Sequence, residues 1–162
     1  MPPHQDSTFL YTDPPSAVGF WIALEAARRE NGCLGFVGGS QRRVGVGRRF
    51  VRLEEGGGAG FVAVGVGEGG RFPWGEGEGG GVKKGGGEEE KEEEEEYTLA
   101  EVEAGTLVLI HGNLLHKSER NLSGRSRLAY TFHVIEGENV YDERNWLQPP
   151  EVGFTRLYEG GE

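Results

Sequence analysis

Gly105-Thr106-Leu107-Val108-Leu109-Ile110 is an apolar run rich in strand-forming residues, and it predicts a buried β-strand. The chain continues through His111-Gly112-Asn113-Leu114-Leu115 to His116, and Asn121-Leu122-Ser123-Gly124 then predicts a turn. The later part of residues 125–134 alternates polar and apolar side chains, as a strand does. We therefore expect a β-hairpin with His116 on one arm and Arg127 on the other.

On either side of this stretch, alternation and β-rich composition predict a mainly β chain. The four predicted strands are Thr8–Thr12, Val18–Glu25, Leu107–His111 and Leu128–Ile135, and the further candidates are Cys33–Val37 and Arg49–Leu53. Helix is limited to a short turn within residues 23–30. The length of 162 residues allows one domain, which we place at residues 1–162.

A candidate metal site combines the N-terminal tripeptide His4-Gln5-Asp6 with His116. Alternate residues of a strand point to the same side, so His4 and Asp6 are expected to project together while Gln5 points away. Two imidazoles and one carboxylate suit non-haem Fe(II), which must keep positions open for a cosubstrate and O2. Taken alone, the tripeptide favours a polar loop, and only the combination with His116 favours a metal site. Arg127, one strand over from His116, could grip a carboxylate of a metal-chelating small acid.

Residues 54–96 have a different composition from the rest of the chain. They hold 16 glycines, and their 13 glutamates and four basic residues give a net charge of −9, whereas the whole chain carries a net charge of −10. The remainder is therefore close to neutral, and the acidity says little about its partners. We expect residues 54–96 to be a disordered low-complexity acidic loop, with one strand at Gly60–Val66 and an aromatic turn at Arg71–Trp74. An arm that binds basic partners is the alternative.

The remaining composition excludes several classes of protein. No apolar stretch is long enough to span a membrane, and no basic patch suits nucleic acid. The single cysteine, Cys33, cannot form an internal disulfide and fits a reducing compartment, so we expect a cytoplasmic protein with a buried structural thiol. The oligomeric state is not readable from the sequence.

Several segments in order resemble the phytanoyl-CoA dioxygenase family, most closely its branch of phytanoyl-CoA dioxygenase domain-containing proteins. The matching segments are His4–Asp6 with Phe9–Thr12, Trp21–Glu25, Glu30–Leu34, Leu107–Gly112, His116–Ser118, Asn121–Ser123, Arg125–Arg127, Tyr130–His133 and Asn145–Pro149. They cover nearly everything outside residues 42–96.

The resemblance implies an Fe(II)- and 2-oxoglutarate-dependent dioxygenase with a double-stranded β-helix (jelly-roll) core. Carried over by position, the iron ligands would be His4, Asp6 and His116. Arg127 would pair with the distal carboxylate of 2-oxoglutarate, Ser118 would donate a hydrogen bond to it, and Trp21 would line its site. His111 is rejected as the ligand because only His116 has Ser118 and Arg127 at the family's offsets. His133 is expected in the core or the pocket wall.

Members of this family carry a long segment before the His-X-Asp motif, including early core strands and a lysine that helps to bind the cosubstrate. Here His4 follows only three residues, so the resemblance implies an N-terminally truncated, incomplete barrel. We therefore expect weak or no oxygenase activity, on an unknown small-molecule substrate of lipid or acyl type. A non-catalytic remnant and an acidic-loop interaction protein are the alternatives, and iron-dependent release of succinate would distinguish the enzyme from both.

Overall fold

The computed structural model describes residues 1–53, 57–63 and 96–158, and their regular structure is mainly β, as predicted. Short helical turns occur at Asp6–Thr8, Arg29–Asn31 (both 3-10) and Ser40–Arg43 (α1). The strands are β1 (Thr12–Asp13), β2 (Val18–Ala23), β3 (Leu34–Phe36), β4 (Arg48–Arg52), β5 (Ala59–Ala63), β6 (Thr98–Ala100), β7 (Leu107–His111), β8 (His116–Ser118), β9 (Ala129–Val134) and β10 (Val140–Tyr141).

Two three-stranded antiparallel sheets form the body of the described chain. The order of the first sheet is β7-β2-β9, and the order of the second is β6-β3-β8. In the first sheet Trp21 of the central strand pairs with Val108 on one side and Thr131 on the other. In the second sheet Phe36 pairs with His116 and with Thr98. Each central strand therefore has both of its backbone edges occupied.

The apolar core lies between these sheets. Alternate residues of β2 are buried, and Trp21 and Ala23 from this buried face join Ile110 of β7. Cys33 and Leu34, at the start of β3, belong to the same buried cluster. The thiol of Cys33 is free and buried, as expected, and burial raises its pKa. Burial of these side chains from both sheets is what holds the two layers face to face.

Two short ribbons, β1-β10 and β4-β5, complete the described fold. The buried side chain of Arg49 in β4 connects them. Its guanidinium donates to Asp142 Oδ2 at 2.6 Å and to Asn145 Oδ1 at 3.0 Å, and it stacks 4.2 Å from the ring centroid of Tyr11. Asn145 in turn donates to the Tyr11 carbonyl at 2.7 Å. One paired arginine thus joins β4, the start of β1 and the turn after β10.

Most of the predicted strands are confirmed, but the strand at Thr8–Thr12 is wrong. Strands β2, β7 and β9 lie within three of the predicted ranges, and β3 and β4 correspond to the two further candidates. After Gln5, however, the chain turns through the 3-10 helix Asp6–Thr8, and extended backbone resumes only at Thr12. The amides of Phe9 and Leu10 both bond back to the Asp6 carbonyl, which closes this turn.

The predicted hairpin between His116 and Arg127 is also wrong. Strand β8 pairs with β3, whereas β9 pairs with β2 in the other sheet. The link between β8 and β9 therefore crosses from one sheet to the other. Glu25, just beyond β2, helps to direct it: its carboxylate accepts from the Leu128 amide at 2.9 Å and from the Ser126 hydroxyl at 2.9 Å. These hydrogen bonds guide the chain toward β2 before β9 begins.

The low-complexity stretch is described only in part. Residues 57–63 complete a hairpin in which β5 pairs with β4, so the expected strand at Gly60–Val66 is found over its first residues. The aromatic turn at Arg71–Trp74 lies outside the described residues, and the loop assignment for 54–96 stays a prediction. Within the described ranges, no helix combines the length and the apolar character needed to cross a membrane.

Candidate functional site

His4 and His116 lie directly opposite each other on paired backbones. The His4 amide donates to the His116 carbonyl at 2.9 Å, and the His116 amide donates to the His4 carbonyl at 3.0 Å. The Ser118 amide also donates to the Met1 carbonyl at 3.1 Å, so residues 1–4 run antiparallel to β8. Directly opposed residues have adjacent side chains, and the two imidazole centroids are 4.2 Å apart. This pairing holds residues 1–4 against β8.

Asp6 begins a 3-10 turn and is not part of a strand. Gln5 before it is extended, however, and His4 and Asp6 project together as the alternation argument predicted. A close approach at Gly112 fixes the turn. The Ser7 amide donates to the Gly112 carbonyl at 2.9 Å, and the Gly112 amide donates to the Ala17 carbonyl at 2.7 Å. A Cβ at Gly112 would lie 2.5 Å from Ser7 Oγ. Only glycine lets the turn that carries Asp6 dock against the end of β7.

The three sequence-predicted metal ligands converge. Asp6 Oδ1 lies 3.6 Å from His4 Nε2 and 3.7 Å from His116 Nε2, and one ligand atom from each residue lies within 4.8 Å of the others. An ion bound at about 2.0–2.2 Å from each atom fits the 3.6 Å and 3.7 Å separations from Asp6 Oδ1. All three side chains are largely buried, at 7–12% exposure.

Backbone carbonyls set the tautomers of both imidazoles. His4 Nδ1 lies 2.9 Å from the Pro2 carbonyl, and His116 Nδ1 lies 2.9 Å from the Leu114 carbonyl. A carbonyl can only accept, so each Nδ1 carries the proton in these hydrogen bonds. Both Nε2 atoms, which face Asp6, then keep the lone pair that a metal ligand requires.

The charge states of His4 and Asp6 also suit metal binding. Burial lowers the pKa of His4, and the nearby His116 lowers it further, so His4 is neutral at neutral pH. Burial alone would raise the pKa of Asp6, but the hydrogen bond from His133 and the neighbouring imidazoles outweigh it and lower that pKa. A neutral imidazole and an ionised carboxylate are the forms that bind a divalent cation.

Sequence reasoning did not find the contact between His133 and Asp6. Nε2 of His133 lies 3.1 Å from Asp6 Oδ2, which is the oxygen that the other two imidazoles do not share. The available signal was Gly19, because a glycine inside an apolar strand often marks a close approach. His111 is not part of the group that could hold an ion, and its Nδ1 accepts from the Asn113 amide at 3.1 Å.

The three predicted cosubstrate residues also lie together. The Arg127 guanidinium donates to Ser118 Oγ at 2.9 Å and lies 5.7 Å from the Trp21 ring centroid. Ser118 Oγ donates to the Gly32 carbonyl at 2.8 Å. Nε of Arg127 is buried and has no hydrogen-bond partner among the described residues. Arg125 is exposed, so Arg127 is the inward residue, although it precedes β9 instead of lying on a strand paired with His116.

Strand β8 links this cationic group to the three metal-binding candidates. His116 and Ser118 are both buried, on the same side of β8, while Lys117 between them is less buried. Residues two apart on a strand are separated by about 6.6 Å. The distance from the cation and the hydroxyl to the two imidazoles and the carboxylate is therefore about the length of a short dicarboxylic acid. The arrangement can hold a divalent metal ion and, beside it, a small acid.

Comparisons with known proteins identify relatives of this chain. The family model described as Phytanoyl-CoA dioxygenase (PhyH) matches residues 1–129. Phytanoyl-CoA dioxygenase domain-containing protein 1 of Bos taurus is 44% identical over 159 residues, 96% of this chain and 47% of that protein. Phytanoyl-CoA dioxygenase 1 of Oryza sativa subsp. japonica is 39% identical over 97% of this chain and 46% of that protein.

One solved structure has a similar fold. The non-heme alpha ketoglutarate dependent epimerase SnoN from nogalamycin biosynthesis superposes with a TM-score of 0.54 at 19% sequence identity. The match covers 98% of this chain and 49% of SnoN. The chain spans about half the length of the relatives it matches. The family match over residues 1–129, with identities near 40%, leads to one conclusion: the chain belongs to the phytanoyl-CoA dioxygenase family.

Proposed function

We propose that this chain carries the iron and cosubstrate site of an Fe(II)- and 2-oxoglutarate-dependent dioxygenase that hydroxylates a small molecule. The single observation that carries the proposal is the position of Asp6 Oδ1, which lies within 3.7 Å of Nε2 of both His4 and His116. We further propose that the two described sheets belong to a double-stranded β-helix core within a single domain, and that the low-complexity sequence of residues 54–96 is an insertion into it, of which β5 is the described part.

The donor set fits Fe(II). Two neutral imidazoles and one carboxylate, provided by His4, His116 and Asp6, leave other coordination positions open. When bound, iron supplies the oxidation chemistry: 2-oxoglutarate and O2 give succinate and CO2, and one oxygen atom is inserted into a substrate C–H bond. The chain's own contribution is to hold the ligands, to orient the cosubstrate and to keep water away from the site.

Arg127, Ser118 and Trp21 would orient the cosubstrate. The guanidinium of Arg127 suits a carboxylate because its planar fork can donate two parallel hydrogen bonds. Nε of Arg127 is buried and unpaired within the described ranges, so a donor remains for such a ligand. The ring of Trp21 lies beneath the guanidinium and closes one wall of the site. Ser118 can contribute its hydroxyl from β8.

The names of the relatives suggest the class of substrate. Several relatives are named phytanoyl-CoA dioxygenases, and we propose a lipid- or acyl-like small molecule for this chain too. A cytoplasmic location is consistent with the single, buried, free Cys33.

The test is an assay of purified residues 1–162 with Fe(II), ascorbate, 2-oxoglutarate and O2, in which succinate is measured. The proposal predicts succinate release that requires iron and is lost in His116→Ala. Weak turnover is expected, because the chain spans about half the length of its relatives. The control is Lys117→Ala, which changes the neighbouring residue of β8. A chain that binds neither Fe(II) nor 2-oxoglutarate would contradict the proposal and favour a non-catalytic role.

A further inference from the structure

The two carboxylate oxygens of Asp6 face different groups. Oδ1 lies 3.6 Å from His4 Nε2 and 3.7 Å from His116 Nε2, whereas Oδ2 lies 3.1 Å from Nε2 of His133. In the described chain, the group that could hold an ion consists of His4, Asp6 and His116, without His133. His133 therefore contacts Asp6 through the carboxylate oxygen that does not face the other two imidazoles.

Gly19 provides the space for this contact. The register of β2 and β9 pairs Gly19 with His133 across the sheet. A Cβ at Gly19 would lie 3.1 Å from Asp6 Oδ2 and 3.4 Å from His133 Nε2, which is tighter than ordinary van der Waals contact. The absent side chain lets the carboxylate of Asp6 reach across β2 to the imidazole on β9. Two strands of one sheet thus cooperate to hold a side chain that comes from the N-terminal turn.

We propose that His133 is a positioning residue, which donates a hydrogen bond to Asp6 Oδ2 and thereby presents Oδ1 alone to the metal. The inference rests on the proposed function, since it concerns the same iron site. A carboxylate without such a partner could rotate about its Cβ–Cγ bond and offer both oxygens to the ion. That would occupy a position needed for the cosubstrate or O2. Partners that orient a ligand in this way affect metal affinity by about 10–100-fold.

The test measures the binding of Co(II), a divalent probe for the iron site, to the full 162-residue chain and its variants by titration calorimetry. His133→Phe keeps a planar ring but removes the donor, and we expect affinity to fall about 10–100-fold. His133→Gln places an N–H donor near the position of Nε2 and should restore most of the affinity. Thermal unfolding of the metal-free variants should match that of the unchanged chain, which a purely structural role would not predict.

A second pair of variants tests the same contact from the opposite strand. Gly19→Ala should weaken Co(II) binding, because the new methyl group would press on Asp6 Oδ2 and His133 Nε2. Gly35→Ala is the matched control: Gly35 is also buried within a strand, but a Cβ there would meet Leu99 and Tyr97 at ordinary contact distances of 3.6–3.7 Å. It should bind Co(II) like the unchanged chain.

The outcomes separate this inference from the proposed function. Co(II) affinity that is unchanged in His133→Phe, with the site otherwise active, would overturn the inference alone. Absence of Co(II) binding by the unchanged chain would overturn both. If His133→Phe does not fold, the comparison of Gly19→Ala with Gly35→Ala decides, and equal affinities in that pair would overturn the positioning role.

Discussion

The inner face of the sheet β7-β2-β9 is apolar on β7 and β2 but carries polar side chains on β9, whereas its outer face is apolar. In β9, the residues on the inner face include Thr131 and His133, opposite Trp21 and Gly19, and they are polar. On the outer face Phe20 and Phe132 stack with centroids 4.8 Å apart at an interplanar angle of 12°. Half-buried antiparallel strands usually point apolar residues inward. The polar residues of β9 thus lie at an exposed edge of the sheet beside the site, whereas the buried core residues of this sheet, Trp21, Ala23 and Ile110, lie on β2 and β7.

The outer face of the same sheet is apolar and exposed in the described chain. Leu109 and Tyr130 are each 58% exposed, and Leu107 is 48% exposed. Their inner neighbours on β7 are less exposed, and Ile110 is buried at 6%. Residues adjacent in the sequence therefore differ in what their burial contributes to stability. The inner face divides further into apolar strands, β7 and β2, and a polar edge on β9. Four predictions test these distinctions.

The largest expected effect is at the polar edge of the inner face, where Asp6 contacts His133. Asp6→Ala removes the one carboxylate among the three metal-binding candidates, so Fe(II) affinity should fall roughly a thousandfold or more, beyond the ~10–100-fold typical of outer-shell changes. Anaerobic titration calorimetry measures it, and the circular dichroism of the fold should be unchanged. Asp13→Ala, at an exposed position of β1, is the control. Retention of affinity within about tenfold would show that Asp6 is not a ligand.

The next prediction compares two neighbouring residues of β7, Ile110 and Leu109. Ile110→Ala should lower the free energy of unfolding by about 2–4 kcal/mol, because it empties space in the core beside Trp21 and Ala23. Leu109→Ala deletes an exposed side chain of the outer face and should cost less than about 1 kcal/mol. Urea denaturation of both variants measures the difference. Equal losses would mean that the outer face is covered in solution, and the comparison of faces would then fail.

A smaller effect is expected where the inner face meets the second sheet. Arg127→Lys should weaken 2-oxoglutarate binding about tenfold, because an ammonium cannot reproduce two parallel guanidinium hydrogen bonds. Binding is measured by calorimetry with Co(II) present. Arg125→Lys changes an exposed cation two residues earlier and should leave binding unaffected. A stronger effect at Arg125 than at Arg127 would reverse the assignment of the inward cation.

The smallest expected effect is on the stability of the fold at acid pH, and it concerns Asp142, which lies outside this sheet. Burial alone would raise the pKa of Asp142, but hydrogen bonds from Arg49 and Arg144 hold it well below its usual range. A depressed pKa in the folded state stabilises above the unfolded value of about 3.9, and this contribution is lost as the pH falls further. Asp142→Asn should therefore cost on the order of 1 kcal/mol at pH 7 and flatten the dependence of stability on pH below about 4.

Urea denaturation between pH 7 and pH 2 measures this change, and Glu143→Gln, at the exposed neighbouring position, is its control. An unaltered acid profile in Asp142→Asn would assign the acid sensitivity to other carboxylates. The site itself contributes one such group, because the lowered pKa of Asp6 has the same sign. A steep profile that persists in Asp142→Asn would therefore point back to the inner face.

The sequence by itself determined which residues are candidates for the site, and it located most of the strands. Short-range patterns sufficed for β2, β7 and β9, because alternation and β-rich composition are local properties. The candidate ligands His4, Asp6 and His116 and the cationic Arg127 were also chosen from sequence. The choice needed only the residue types that suit a metal and a carboxylate, together with their offsets in a known family.

Only the tertiary structure decided how these residues meet. Asp6 begins a 3-10 turn that Gly112 admits, and β8 and β9 separate into different sheets. The strand expected after the His-X-Asp motif and the hairpin expected between His116 and Arg127 were therefore both wrong. The contact of His133 with Asp6 depends on the pairing of Gly19 with His133 across two strands. Periodicity shows that residues alternate but not which face is turned inward. That choice is made by long-range pairing, where the burial of Trp21 and Ile110 and the hydrogen bonds of Asp6 are satisfied together.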